Sequence, residues 1–473
     1  MSKKESLKIL EESIRKYAPV VAEFFDCNDS IYDYSKKIYQ FESDPVYLER
    51  QKYFRRALGD EVQRLFKKNI VLPENLALNI VDHHAILNHP LLMATNIVSN
   101  MYRLLGREGE SPNPIVVLTS SIVPPNNFFN KKGILFHDKK ISLFPNKMIH
   151  QAACFMQTHD FKFVDKLKAL GKWGEFDEEE QFFLSKIEDG ITKEQFSSAD
   201  NFCDQVSLID QHLWKLLFSS DIREKIPELL YIPEEKIFTK IFTDIINSDN
   251  FVSRVIFDKV FQKLILAKFD GLIGCWDTKN NKGTHFFWFK NENLEPVRLL
   301  LQGDFLCTVD NVKKIPLQKN SLIEEMNKGN IVADMFLIYS YILFWCGVEP
   351  LVGHGSCNYL TNMKNAWLEV VQEIGDTAEY ERLLKINTKK LIAGAIMTYA
   401  RDKENKIVNQ YAMDVICSGG LNNQYLNNLS QMSYKDLLRP ALLEIYDSYV
   451  PIDKKVNLDL SASDMINQPF DWI

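Results

Sequence analysis

Three of the nine histidines of this 473-residue chain fall in one short run, Asp82-His83-His84-Ala85-Ile86-Leu87-Asn88-His89-Pro90. Asp82, His84 and His89 together form a ligand set for zinc, iron or manganese, with one position left for a water. Without a metal, imidazoles beside a helix amino terminus suit a phosphate or carboxylate and can move protons. A third reading makes His83 and His84 satisfied buried groups at a tight turn. On the anion reading the catalytic set is His83, His84, His89 and the distant His354, with Thr119, Ser120, Asn127, Ser356 and Asn358 contacting substrate.

The elements flanking the run say where it must sit. Leu76 to Val81 is a compact apolar stretch suited to a buried parallel strand, and Leu91, Ala94, Val98, Met101 and Leu105 recur at helical spacing. Pro90 suits a first helical position. Ile115 to Thr119 supplies a second strand, so 76–119 reads as a right-handed parallel strand, helix, strand unit with Asp82 to His89 at its carboxyl edge. Ligands bind at that edge of a parallel sheet. The loop Thr119 to Asn127 begins where the neighbouring strand ends.

A second stretch, Gly353-His354-Gly355-Ser356-Cys357-Asn358, places an imidazole between glycines that permit close backbone approach. Ser356 or Asn358 is expected to cap a helix starting near Tyr359. This stretch is expected to share a cleft with Asp82 to His89; a plain turn between helices is the alternative. Cys357 lies three residues from His354, but a nucleophile also needs an orienting third group. Neither a G-x-S-x-G elbow nor a nucleotide fingerprint of the G-x-G-x-x-G or G-x-x-x-x-G-K-[ST] kind occurs, and Ser418 to Tyr425 is a glycine loop of neither type.

The run His83 to Leu92, between a strand and a helix and followed by the strand at Ile115, resembles the nucleotide-binding layout of cytidylyltransferase-like proteins, including the cysteine-adding enzymes of bacillithiol synthesis. The likeness covers about 45 residues, departs from H-x-G-H and has His89 where a glycine is expected before Pro90. It implies ligase or transferase chemistry on a nucleotide. The helical carboxyl-terminal half adds nothing to it.

The remaining chain frames these motifs. Residues 1–70 read as a helical layer, 71–165 as the α/β core, 166–268 as helical and 269–473 as a mixed strand and helix region passing into helices. The fold class is therefore α/β, mixed and helix-rich, with a parallel-sheet core. Gly133–Phe136 and Ile141–Phe144 read as a hairpin around Asp138, and Gly271–Trp276 with Thr284–Phe289 as another. Leu391–Tyr399 and Tyr434–Tyr446 read as helices, the second broken at Pro440. Met335 to Val348 is apolar but too short to span a bilayer of ~30 Å, and reads as a buried helix.

A net charge of −7 with scattered lysines and arginines shows no footprint for nucleic acid. The amino terminus lacks the apolar core of a signal peptide, and the eight cysteines form no C-x-x-C pair, so a cytoplasmic protein with reduced thiols is expected. The expected partner is a small molecule, with neither nucleic acid nor membrane; self-association, a nucleotide cofactor and a divalent metal stay open. The function read from these residues is an enzyme acting on a small anionic metabolite or nucleotide. Its competitors are a metal-dependent hydrolase or oxygenase built on Asp82, His84 and His89, and a non-catalytic interaction protein.

Overall fold

Five short apolar runs, each bounded by turn residues, pair into one sheet in the computed structural model, which describes residues 2–106, 113–125, 133–193, 196, 199–393, 397–401 and 407–466. They are β1 (Ala77–Asn79), β2 (Ile115–Thr119), β3 (Leu229–Pro233), β4 (Glu349–Val352) and β5 (Lys390–Leu391). Every pairing is parallel, with Asn79 opposite Val117 and Leu351, and Val117 opposite Tyr231. Side chains alternate across a strand. Accordingly Ala77, Ile115, Val117, Leu229, Tyr231 and Leu351 enter one hydrophobic cluster. Leu78, Ile80, Leu118, Leu230, Ile232 and Val352 enter another on the opposite face. A sheet covered on both faces needs such near-continuous apolar strands.

The spatial order of the strands is β5-β4-β1-β2-β3. From β1 the chain builds outward through β2 to β3, then returns to lay β4 on the other side of β1. Helix α1 (Pro90–Ser99) follows β1 and α2 (Phe202–Leu216) precedes β3, and both pack on the first face. Helix α3 (Glu234–Asn247) follows β3 and α4 (His354–Glu373) follows β4, and both pack on the second. This is the doubly wound order, and its reversal point, between β1 and β4, opens a crevice at the carboxyl ends of those strands.

The sheet draws on more of the chain than 71–165. The segment 166–268, expected to be helical, contributes β3, a fully buried strand whose last residue, Pro233, leads directly into α3. The chain before β1 forms helices, from Lys3–Tyr17 to Lys52–Phe66. Met335–Tyr339 is an α-helix continued by a π-helical turn over Ser340–Trp345, with its residues almost all buried. Among the described residues no helix is long and apolar enough to cross a membrane.

Two expected hairpins fare differently. Gly133–Phe136 pairs antiparallel with Lys139–Ser142 across His137-Asp138, and both turn residues have positive φ, at 46° and 60°. That is the geometry of a tight primed turn, which moves the second strand two residues earlier than expected. Gly271–Trp276 is not a strand: Gly271 and Gly274 take φ of 86° and 88° and coil the chain, so that Trp276 can be buried against Phe286 and Phe336. Phe287–Lys290 pairs instead with Pro296–Gln302 and Ile331–Ala333 in a second, antiparallel sheet. Pro296–Gln302 and Phe305–Thr308 form its Gly303-Asp304 hairpin.

Toward the carboxyl terminus, Tyr399–Arg401 is a strand paired with Ile407–Asn409, contrary to the helix expected from Leu391. Tyr434–Leu438 and Leu442–Tyr449 are helices separated by a tight turn at Arg439–Ala441, the break expected at Pro440. All eight cysteines are free thiols.

Candidate functional site

Beyond β1 the chain keeps pairing with the end of β2. Ser120 N–H donates to Asp82 O at 3.1 Å, and His84 N–H donates to Ser120 O at 2.9 Å. Strand alternation therefore continues past Asn79 and divides the motif. Asp82 and His84 turn inward with 0% exposure, whereas His83 lines a cavity.

The inward pair is fully engaged with the fold. His84 Nε2 lies 2.8 Å from the Cys203 carbonyl, so it carries the proton and donates; Nδ1, 2.8 Å from Thr119 Oγ1, then accepts from that hydroxyl. Burial pushes the His84 imidazole down to about 4, holding it neutral. Asp82 Oδ2 accepts from Tyr231 Oη at 2.5 Å and from Asn96 Nδ2 at 2.9 Å. Burial, opposed by these hydrogen bonds, pushes its carboxyl up to about 6. Asp210 of α2 accepts from Leu87 N–H at 2.8 Å and is also raised, by burial first and then by Asp82. These groups tie the turn to β2, β3 and α2.

The metal set Asp82, His84 and His89 is therefore not assembled. His84 has both nitrogens committed, and among the described residues no three His, Cys, Asp or Glu side chains are grouped to hold an ion. Thr119 and Ser120 are corrected as well: Thr119 is buried against His84, and Ser120 Oγ reaches Glu235 at 3.4 Å. Glu235 also accepts the main-chain N–H groups of Ser121 and Ile122, pinning the loop after β2. Asn127 lies outside the described residues.

The cavity lies in the crevice between β1 and β4 and holds about 260 Å³. One wall comes from the motif, with His83, Ile86, Asn88 and His89, and the other from Gly353, His354, Gly355 and Ser356. His89 is the cap of α1, its Nδ1 accepting from Leu91 N–H at 3.1 Å, and burial pushes its imidazole down to about 4. Pro90 occupies the first helical position, as its fixed φ allows.

Helix α4 begins at His354, five residues before the expected start at Tyr359, with Gly353 as its cap. Ser356 Oγ accepts from Gly353 N–H at 2.7 Å, so Ser356 ties the first turn rather than capping a later helix. Main-chain N–H groups of a first turn have no acceptor inside their helix and carry a partial positive charge. A Cβ on Gly355 would meet nothing within 4 Å, whereas one on Gly353 would come within 3.2 Å of Val81. His354 is lowered by burial, with Glu444 at the cavity rim opposing the shift. Its carbonyl accepts from Tyr449 Oη at 2.7 Å.

The structure thus brings His83, His89, His354 and Ser356 to one cavity and leaves His84, Thr119, Ser120 and Asn358 outside its wall. Cys357 is buried and its thiol is pushed up to about 12 by that burial, far from the thiolate a nucleophile requires. The glycine loop after Ser418 packs elsewhere: Gly420 abuts the Phe218 and Ser219 backbone. Sequence reasoning missed Asn88, Tyr359, Tyr411 and Glu444, all of which line the cavity. Asn88 lay inside the motif and could have been marked. Tyr411 and Glu444 arrive from distant segments with no local signal.

Fold and site together define a doubly wound α/β protein with a partly apolar cavity at its reversal point, two helix amino termini and three imidazoles around it. No protein-family model matches the chain, and no curated protein matches it.

Proposed function

We propose that this chain is an enzyme that binds a small anionic metabolite or a nucleotide in the cavity between β1 and β4, with group transfer or ligation as its chemistry. The observation that carries this reading is the position of the cavity, at the strand carboxyl ends where the sheet order reverses, with the first turn of α4 in its wall. The N–H groups of Gly355 and Ser356 would hold the anion. His354, kept neutral by burial, would accept a proton from the reacting group, and Glu444 would stabilise the imidazolium that forms. His83 and His89 complete the opposite wall. Transfer or ligation is favoured by the resemblance that the same His83 to Leu92 run carries.

The test is titration calorimetry with ribose 5-phosphate and adenosine monophosphate on the wild type and on Gly355→Glu. A carboxylate placed beside the anion should abolish binding without lowering the apo melting temperature, since the new side chain starts in open space. Equal affinity in the two proteins would refute the reading.

A further inference from the structure

Tyr449 Oη donates to the His354 carbonyl at 2.7 Å, and its ring meets the His354 imidazole edge-on at 6.4 Å between centroids. Burial pushes the phenol up to about 12, so at neutral pH it is a hydroxyl and a donor. Tyr449 ends the helix Leu442–Tyr449, which also brings Glu444 to the cavity. The bond therefore ties a carboxyl-terminal helix to the first residue of α4, 95 positions earlier in the chain.

The bond acts on more than His354. The His354 carbonyl and the Gly355 N–H belong to one trans peptide plane, in which they point in opposite directions. A donor on the oxygen fixes the tilt of that plane and polarises it, which makes the N–H at its other end a stronger donor. Gly355 N–H lies in the first turn of α4, where it has no acceptor inside the helix. Glycine has no Cβ to restrict the torsion on its side of the plane, so the restraint has to come from outside, and Tyr449 supplies it. Tyr449 is not in the cavity wall. Resting on the anion-site reading above, we infer that Tyr449 is a positioning residue of that site: its hydroxyl, behind the peptide that joins His354 to Gly355, aims and strengthens the Gly355 N–H that holds the anion.

The experiment compares the wild type with Tyr449→Phe, which keeps the ring beside His354 and removes only the hydroxyl. Tyr434→Phe is the control, because Tyr434 donates to the Leu391 carbonyl at 2.7 Å and neither residue lines the cavity. Calorimetric titration with adenosine monophosphate and with ribose 5-phosphate is run below the melting transition of all three proteins. Tyr449→Phe should bind both ligands about 3-fold or more weakly than the wild type, within the scale of one neutral hydrogen bond, and Tyr434→Phe should match the wild type. In apo protein isotope-labelled at glycine, the Gly355 amide signal should move in Tyr449→Phe and stay in place in Tyr434→Phe. Wild-type affinity in Tyr449→Phe, or an unmoved Gly355 signal, would overturn the inference and leave the anion site standing. Equal weakening in both variants would assign the Tyr449 bond to general stability and overturn it as well. If neither ligand binds the wild type, the anion-site reading falls and the role of Tyr449 falls with it.

Discussion

His89 and His354 border the same cavity from opposite sides of the sheet's reversal point: His89 caps the helix that leaves β1, and His354 opens the helix that leaves β4. Their meeting depends on β4 pairing alongside β1, with Leu351 opposite Asn79. The site is thus a property of the strand order, and several consequences can be measured.

Gly355 stands in the first turn of α4 with nothing near its missing Cβ. Gly355→Ala should leave the fold intact and raise its stability by up to ~0.5–1 kcal/mol, the helix-propensity difference between the two residues. The added methyl should weaken binding of adenosine monophosphate. Denaturant unfolding and calorimetry on the same preparation check both; lower stability with full affinity would contradict the open position assigned to Gly355.

His84 serves the fold. His84→Asn should cost about 1–3 kcal/mol in the apo protein at neutral pH, the range for an unsatisfied buried group, and leave ligand affinity of the folded molecules unchanged. The folded imidazole titrates at about 4 and the unfolded one near 6.5, so the unfolded chain takes up the proton first as pH falls. Wild-type stability should fall between those values by on the order of 3 kcal/mol from this residue, and the gap to the mutant should narrow. An unchanged apo stability accompanied by lost binding would return His84 to the ligand.

Asp82 has the opposite sign. Its folded carboxyl is raised to about 6, so between about 4 and 6 the unfolded chain ionises while the folded protein stays protonated, and stability declines as pH rises. Tyr231 and Asn96 both bond Oδ2, which leaves Oδ1 to carry the proton. Asp82→Asn keeps an acceptor for Tyr231 and cannot ionise. Its stability relative to wild type should therefore climb across that window, by about 3 kcal/mol. Unfolding at pH 4.5 and 7.5 measures this, and a difference independent of pH would show that Asp82 does not titrate there.

How far the sequence foretold this depends on the range of the forces involved. The strand before Asp82, the proline start of α1 and the parallel pairing with Ile115–Thr119 are local patterns, and they were legible. The inward and outward split of Asp82, His83 and His84 was not, because it depends on strand alternation continuing past Asn79 through pairing with Ser120. The role of His84 was not legible, because its partner is a carbonyl on α2 far along the chain. Strand β3 hid between strong helical stripes: five buried residues have no period to betray them. Gly271–Trp276 misled in the other direction, its strand-forming residues overruled by two glycines at positive φ and the burial of Trp276.

The sheet also predicts where the chain can be cut. A fragment of residues 71–165 holds β1 and β2 but lacks β3, β4 and β5, which pair on both sides of them. It should show no cooperative thermal transition by circular dichroism, since the apolar strand edges and both faces would be uncovered. A sharp transition in the isolated fragment would mean that the reversal point is not needed for folding.

The most direct measurement is a crystal structure of the chain with adenosine monophosphate. The account predicts phosphate oxygens at ~2.7–3.2 Å from the main-chain nitrogens of Gly355 and Ser356. A nucleotide bound away from the β1 and β4 crevice, or one whose phosphate faces solvent with the first turn of α4 untouched, would contradict it.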